Sequence, residues 1–210
     1  MSGRDHRDAY YYSAKKQNLK SRAAFKILEI QTKFSLMKEG DHILEVGSSP
    51  GGWTQIIRSV TRKPVIAVDP EEMEPMDGVI FIRSRIEDSR ALSKIRSAMD
   101  SVGVKLFDGI LSDAMVHTSG KRDIDHASSY LICRTVMRLA FDLLSPGGYI
   151  LLKQFQGDLT NQFLREWSGY FDFSKITSVS ATREASREVY IIFRGFRPQL
   201  RGSQGVQGIG

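Results

Sequence analysis

The segment that most constrains the fold is residues 41–61. There an apolar run, Asp41-His42-Ile43-Leu44-Glu45-Val46, enters Gly47-Ser48-Ser49-Pro50-Gly51-Gly52 and leaves as a helical pattern from Trp53 to Thr61. A strand that turns through glycines straight into a helix opens many nucleotide-binding α/β folds, because glycine reaches positive φ without steric cost and lets the main chain approach a ligand closely. The remainder of the chain repeats the alternation. Pro64–Asp69 and Val79–Ile82 are apolar or β-branched runs, Ser89–Met99 sets Leu92, Ile95 and Met99 on one helical face, and Phe107–Ser112 is a further strand that ends in Asp113. A helix over His126–Leu144 is stopped by Ser145-Pro146-Gly147-Gly148; strand Tyr149–Phe155, helix Leu159–Gly169 and strands Asp172–Val179 and Val189–Phe193 follow. This order predicts an α/β doubly wound, mostly parallel seven-stranded sheet with helices on both faces. The last two strands, joined without a helix, predict an antiparallel hairpin at its edge.

With 210 residues, 41% of them apolar and 26% charged, the chain can bury a substantial core as one domain. That domain is expected to span residues 1–196, with a basic helical region over about 1–40. The Gly- and Gln-rich residues 197–210 read as a disordered tail. Cys133 is the single cysteine, which excludes an internal disulfide and predicts a reducing, cytoplasmic compartment with no disulfide-linked partner. No apolar stretch approaches the roughly 18 residues needed to span a bilayer, and the N-terminus is polar and charged, so neither membrane insertion nor secretion is expected.

The net charge of +6 is concentrated near the N-terminus, where residues 1–40 hold nine Lys and Arg against four Asp and Glu. A segregated positive patch attracts polyanions through counterion release, which makes nucleic acid the expected partner. A solvated helix face would carry the same charges.

In doubly wound sheets ligands bind beyond the carboxyl ends of the strands, so strand exits are where functional residues are sought. The first exit, Glu45-x-Gly47-x-x-x-Gly51-Gly52, differs from the G-x-G-x-x-G loop that grips a dinucleotide pyrophosphate. It suits close approach of the main chain to a ligand without a phosphate grip. Asp69 ends the second strand 18 residues after Gly51, near the offset of about 20 at which a carboxylate reaches ribose hydroxyls. Together they point to an adenosyl ligand; a tight turn and a strand-end aspartate before Pro70 are the plainer reading of the same residues.

Five stretches in order carry a resemblance to a known family: Ser21-Arg22-Ala23-Ala24-Phe25-Lys26, Gly47 to Trp53, Ser112-Asp113, Leu152-Lys153-Gln154-Phe155-Gln156-Gly157, and Ser186-Arg187-Glu188-Val189-Tyr190. Over Tyr10 to Phe196 the chain resembles the FtsJ/RrmJ family of ribose 2′-O-methyltransferases. The resemblance implies a Rossmann-like methyltransferase fold, S-adenosyl-L-methionine as cofactor and a Lys-Asp-Lys-Glu tetrad at Lys26, Asp113, Lys153 and Glu188. It further assigns Gly51, Trp53, Asp69 and Asp113 to cofactor binding; Gly47 and Gly52 of the same loop and Arg85, at the position facing the adenine, complete the expected cofactor site. The implied substrate is a uridine of large-subunit ribosomal RNA, free or in the large ribosomal subunit, with tRNA and the mRNA cap as family alternatives.

The chemistry gives these identities a reason. A ribose 2′-hydroxyl is a weak acid, so its proton must leave as the oxygen attacks a methyl carbon in line with sulfur. Lys153 can serve as the base if desolvation and the neighbouring Lys26 depress its pKa. Alternatively it stays charged, steers the hydroxyl and stabilises the developing alkoxide. Asp113 and Glu188 would orient the lysines, and their charge favours the second role.

Two departures from the family pattern stand out. Arg85 occupies a position where many members carry an acidic residue that accepts from the adenine amino group, and an arginine cannot accept. Main chain, apolar contacts, Glu87 or Asp88 would have to substitute. The loop Ala114-Met115-Val116-His117 lacks the Met-Ala-Pro-Asn type of sequence common there, which bears on substrate choice, and the tetrad needs no role for His117. Lys15, Lys16, Lys20 and Arg22 are candidate phosphate contacts, and Tyr10, Tyr11 and Tyr12 can stack on unpaired bases or pack onto the domain. A non-catalytic RNA-binding module that keeps the fold is the competing reading; an NAD-dependent oxidoreductase fits neither the glycine spacing nor the basic N-terminus.

Overall fold

The computed structural model describes residues 21, 23–115, 119–180 and 187–198. Within them the elements follow the order α1 (Ala23–Phe34), β1 (Ile43–Val46), α2 (Gly52–Thr61), β2 (Val65–Asp69), β3 (Val79–Arg83), α3 (Ala91–Ser101), β4 (Phe107–Ser112), α4 (Arg122–Leu143), β5 (Leu144–Phe155), α5 (Asp158–Ser168), β6 (Phe171–Thr177) and β7 (Glu188–Phe196). The strands form one sheet in the order β3-β2-β1-β4-β5-β7-β6.

Pairs β3–β2, β2–β1, β1–β4 and β4–β5 are parallel; α2 crosses between β1 and β2 and α4 between β4 and β5, whereas β2 and β3 are joined by the helix-free loop 70–78. The antiparallel hairpin lies at the sheet's edge as expected, but its two strands are exchanged in space: β7 lies between β5 and β6 and runs antiparallel to both. Five successive apolar side chains of β7, Val189 to Phe193, are then buried, and β6, with Asp172, Phe173 and Lys175 exposed, becomes the edge.

Strands β1 and β2 are buried on both faces, which is why they read as continuous apolar runs. On one face Leu44, Val46, Ile66 and Val68 pack against Ile95, Val136, Met137, Phe163 and Trp167 of α3, α4 and α5. On the other, Ile43, Val65, Leu111 and Leu151 meet Ile27 and Ile30 of α1 and Trp53 and Ile57 of α2. The Trp53 indole donates to the Ala23 main-chain oxygen at 2.9 Å, which ties the two helices together.

Helix α4 starts four residues before the predicted His126, with Asp123 and Asp125 in its first turn, where carboxylates complement the helix dipole. It passes directly into β5 at Leu144. The predicted stop, Ser145 to Gly148, is an irregular stretch inside that strand, where pairing jumps from Phe107–Leu144 to Gly109–Tyr149. A Cβ on Gly109 would lie 2.4 Å from the Tyr149 ring, so a side chain there would block this register. No helix of the described residues is long and apolar enough to cross a membrane. The tail expected from residue 197 falls, from 199 onward, outside the described residues, as does the N-terminal stretch up to Lys20.

Candidate active site

The carboxyl ends of β1, β2, β4 and β5 surround a cleft of about 420 Å³, a size suited to a small organic ligand. The loop after β1 forms one wall. Gly47 has φ +81°, and a Cβ on it would sit 2.4 Å from the Ala114 main chain. The glycine is therefore required twice, by conformation and by close approach. Gly51, at φ +105°, turns the chain into α2, and a Cβ on Gly52 would collide with Ser21.

Asp69 stands at the end of β2, largely buried. Its Oδ2 accepts from the Ser49 N–H at 2.9 Å and its Oδ1 from the Glu71 N–H at 2.8 Å. Burial pushes its carboxyl up, while these two main-chain donors pull it down. Each carboxylate oxygen can accept one more hydrogen bond, and Asp69 lines the cleft, as two ribose hydroxyls would need.

The third wall is the segment Ser84 to Glu87. The Arg85 guanidinium points outward, 57% exposed, with its Nε 4.0 Å from Glu87 Oε2. Asp88 is occupied, accepting from the Ser84 hydroxyl and the Arg85 N–H, each at 3.3 Å. Of the two acidic residues considered as substitutes for the missing acceptor, Glu87 lines the cleft and Asp88 does not.

The tetrad residues assemble as two ion pairs. Lys153 Nζ lies 2.9 Å from Asp113 Oδ1 and donates to the Asp113 main-chain oxygen at 2.6 Å. Lys26 of α1 pairs with Glu188 at the start of β7. Side chains in both pairs are between 7% and 16% exposed, so these charges are largely withdrawn from water. Ladder pairing sets Glu188 opposite Phe155 and Tyr190 opposite Lys153, which brings α1, β5 and β7 to one end of the sheet.

Gly47, Asp69, Arg85, Asp113 and Lys153 thus line the cleft. Gly51 and Gly52 shape the loop behind it. Trp53, named with the cofactor residues by resemblance, is buried in the core between α1 and Tyr190, with ring centroids 6.0 Å apart in the latter pair. Its part is to hold the loop and α1 in place. Lys15, Lys16, Lys20, Arg22, His117 and Tyr10 to Tyr12 lie outside the described residues. No group of three or more His, Cys, Asp or Glu among the described residues could hold a metal ion.

One residue of the glycine-loop motif has an environment that its place in the motif does not reveal. Glu45, two residues before Gly47, is wholly buried, and its carboxyl is pushed up to about 8. Burial is the main cause; the nearby Asp113 and Asp69 add to it, and hydrogen bonding with Thr54 opposes it. The only sequence signal was an acidic residue within an otherwise apolar strand.

A parallel sheet with a glycine loop after β1, an acidic residue ending β2 and an antiparallel β7 inserted beside β5 defines a Rossmann-like methyltransferase domain. Comparison with known proteins specifies it further. The family model described as FtsJ-like methyltransferase matches residues 19–196, and the chain belongs to that family. The chain is 50% identical over 187 residues to a protein of Picrophilus torridus named ribosomal RNA large subunit methyltransferase E, covering 89% of this chain and 96% of the relative. It is 46% identical to the protein of the same name from Thermoplasma acidophilum, with 91% and 93% covered. Among solved structures, one described as a ribosomal RNA methyltransferase from Plasmodium falciparum superimposes with a TM-score of 0.74 at 28% identity, over 84% of this chain and 97% of that one.

Proposed function

We propose that this chain transfers a methyl group from S-adenosyl-L-methionine to a ribose 2′-hydroxyl of RNA, with large-subunit ribosomal RNA as the substrate. The observation that carries the reading is Lys153, held against Asp113 on the rim of the cleft that Asp69 and Gly47 also line. A ribose-binding carboxylate and a buried, oriented lysine share one cavity. The rRNA assignment is supported by the names of the relatives and by the basic N-terminal segment.

The cofactor supplies an electrophilic methyl carbon on a positively charged sulfur. Asp69 would accept the two ribose hydroxyls of its adenosyl part, and the main chain at Gly47 would lie against it. Lys153 would meet the substrate 2′-hydroxyl at the moment its oxygen takes the methyl carbon and the carbon–sulfur bond breaks, with that bond's electron pair staying on sulfur. Asp113 fixes the lysine through two contacts, so the ammonium or amine cannot rotate away during the in-line attack. Lys26 and Glu188 add a further charge pair beside the end of β5 that carries Lys153. The proton leaves to Lys153 if that amine is neutral, and to water if it is charged; a charged Lys153 then stabilises the developing alkoxide.

The test incubates the purified protein with methyl-labelled S-adenosylmethionine and total RNA from cells lacking the modification, followed by mapping of the labelled nucleotide. Label in a ribose of large-subunit rRNA, and none in DNA of the same sequence, is the expected result. Label on a base, or RNA binding with no transfer and no cofactor binding by calorimetry, would overturn it.

A further inference from the structure

Where β4 ends, the sheet opens. The last residue of β4 paired to β5 is Ser112, opposite Leu152. Beyond it the Asp113 N–H bonds to the Val46 oxygen of β1 at 3.0 Å, and the chain departs along Ala114 and Met115 on the cleft wall. This departure creates the cleft. It also strips the edge of β5 of its ladder partner at Lys153 and Phe155, two residues apart and so facing the same side. Buried main-chain groups left without partners cost free energy comparable to a lost hydrogen bond.

Helix α4 replaces the missing strand. Cys133 donates its thiol to the Lys153 main-chain oxygen at 3.3 Å. The Ser129 hydroxyl accepts from the Phe155 N–H at 3.1 Å and donates to the His126 main-chain oxygen at 2.8 Å. His126 Nδ1 lies 2.7 Å from the Phe155 oxygen, and its Nε2 accepts from the Leu159 N–H at 3.2 Å. An acceptor at Nε2 places the ring proton on Nδ1, which donates to the Phe155 oxygen. Positions 126, 129 and 133 follow the i, i+3, i+7 spacing of one helical face. All three side chains are buried, at 9%, 4% and 1% exposure, and burial pushes the Cys133 thiol up to about 12, so it remains a donor. The fit is close: a Cβ on Gly157 would lie 2.5 Å from the His126 ring.

We propose that His126, Ser129 and Cys133 are positioning residues for Lys153, a polar stripe of α4 that fixes the main chain of β5 where the sheet has been opened for the cofactor. The inference rests on Lys153 being the essential group. The β7 ladder holds the opposite edge of β5, where the main-chain groups of the alternating residues Leu152 and Gln154 point, so with the stripe in place this end of β5 is gripped from both sides and the Lys153 side-chain nitrogen reaches Asp113 in one geometry. Without it, the end of β5 beyond Leu152 is held by β7 alone.

The full-length protein tests this through kcat, KM for RNA and calorimetric cofactor affinity in Ser129→Ala and Cys133→Ala. Ser129→Ala is expected to lower kcat by about ten- to a hundredfold through misplacement of the lysine, with cofactor affinity and KM unchanged. Ser129→Thr, which keeps a hydroxyl, restores kcat. Cys133→Ala shows a smaller loss, because a thiol is a weak donor, and Cys133→Ser removes that loss; this pair decides the matter if Ser129→Ala does not fold. Wild-type kcat in Ser129→Ala and Cys133→Ala, or losses that only track the fraction of folded protein, would overturn the inference. Lys153→Ala is assayed alongside. An inactive Lys153→Ala beside fully active stripe variants defeats the positioning role alone, whereas an active Lys153→Ala removes the reading on which it depends.

Discussion

Lys153 meets Asp113 twice, through the carboxylate at 2.9 Å and through the main-chain oxygen at 2.6 Å. The second contact does not depend on the aspartate side chain. Asp113→Asn should therefore keep the lysine near its place while removing the charge that faces it, whereas Lys153→Ala removes the reacting group. Lys153→Ala is expected to reduce kcat by about 10²- to 10⁴-fold with calorimetric cofactor affinity preserved. Lys153→Arg separates the two roles, since arginine keeps the charge and cannot act as a base at neutral pH. Residual turnover in the arginine variant well above that of the alanine variant supports electrostatic stabilisation, and equal loss supports proton abstraction.

The Lys26–Glu188 pair joins α1 to the start of β7 across 162 residues of sequence. Both side chains are mostly buried, so removing one partner strands the other charge. Lys26→Met and Glu188→Gln should each cost about 2 kcal/mol of stability, and the double variant should cost less than the sum. A chemical-denaturation double-mutant cycle measures this; strict additivity would show that the two side chains do not interact in solution.

Glu45 should make the protein less stable as pH rises. Its carboxyl, raised to about 8 in the fold, ionises in the unfolded chain near its ordinary value of 4.5 while the folded group still holds its proton. The folded state then binds more protons than the unfolded one, and stability falls between these two values by at most about 1.4 kcal/mol per pH unit. Urea titrations across that window should show the slope in the wild type and a flatter profile in Glu45→Gln. The same slope in both would place its origin elsewhere.

Glu87, the acidic residue that lines the cleft beside the outward-turned Arg85, is the candidate acceptor for the adenine amino group. Glu87→Ala should weaken cofactor binding by about 1 kcal/mol, roughly fivefold in Kd, and Arg85→Ala should change it little. Calorimetry on the two variants decides between them. No change in Glu87→Ala would assign the adenine to main chain and to Ile86.

Gly47→Ala should fail by two routes at once. Its φ of +81° disfavours a side chain, and the new methyl group would meet the Ala114 main chain at 2.4 Å. Conformation alone costs about 1 to 2 kcal/mol, and relief of the contact would push the Asp113–Met115 segment out of place. Loss of cofactor affinity together with lowered thermal stability is expected. A variant with normal affinity would show that the glycine loop and Ala114 separate freely.

The sequence by itself determined the alternation of strands and helices, the strand exits at Gly47, Asp69 and Asp113, and, through its resemblance to a family, the four residues of the tetrad. These are legible because a strand or helix writes its own period into the nearest residues, and because glycine and aspartate at strand ends answer local demands of conformation and hydrogen bonding. Only the tertiary structure decided who meets whom. Strand β7 enters between β5 and β6, which sets Glu188 against Lys26; the continuous apolar run Val189–Phe193 marks β7 as an inner strand, but neither strand's pattern names α1 as its neighbour. Glu45 reads as one polar residue in an apolar strand, and its raised pKa follows from burial beside Asp113 and Asp69, which stand at the carboxyl ends of two other strands. His126, Ser129 and Cys133 look like unremarkable members of a helix until the departure of β4 leaves the main chain of β5 in need of partners. Local pattern fixes which face a residue presents, but the energy of a buried charge or an unpaired amide depends on what the rest of the chain brings to that face.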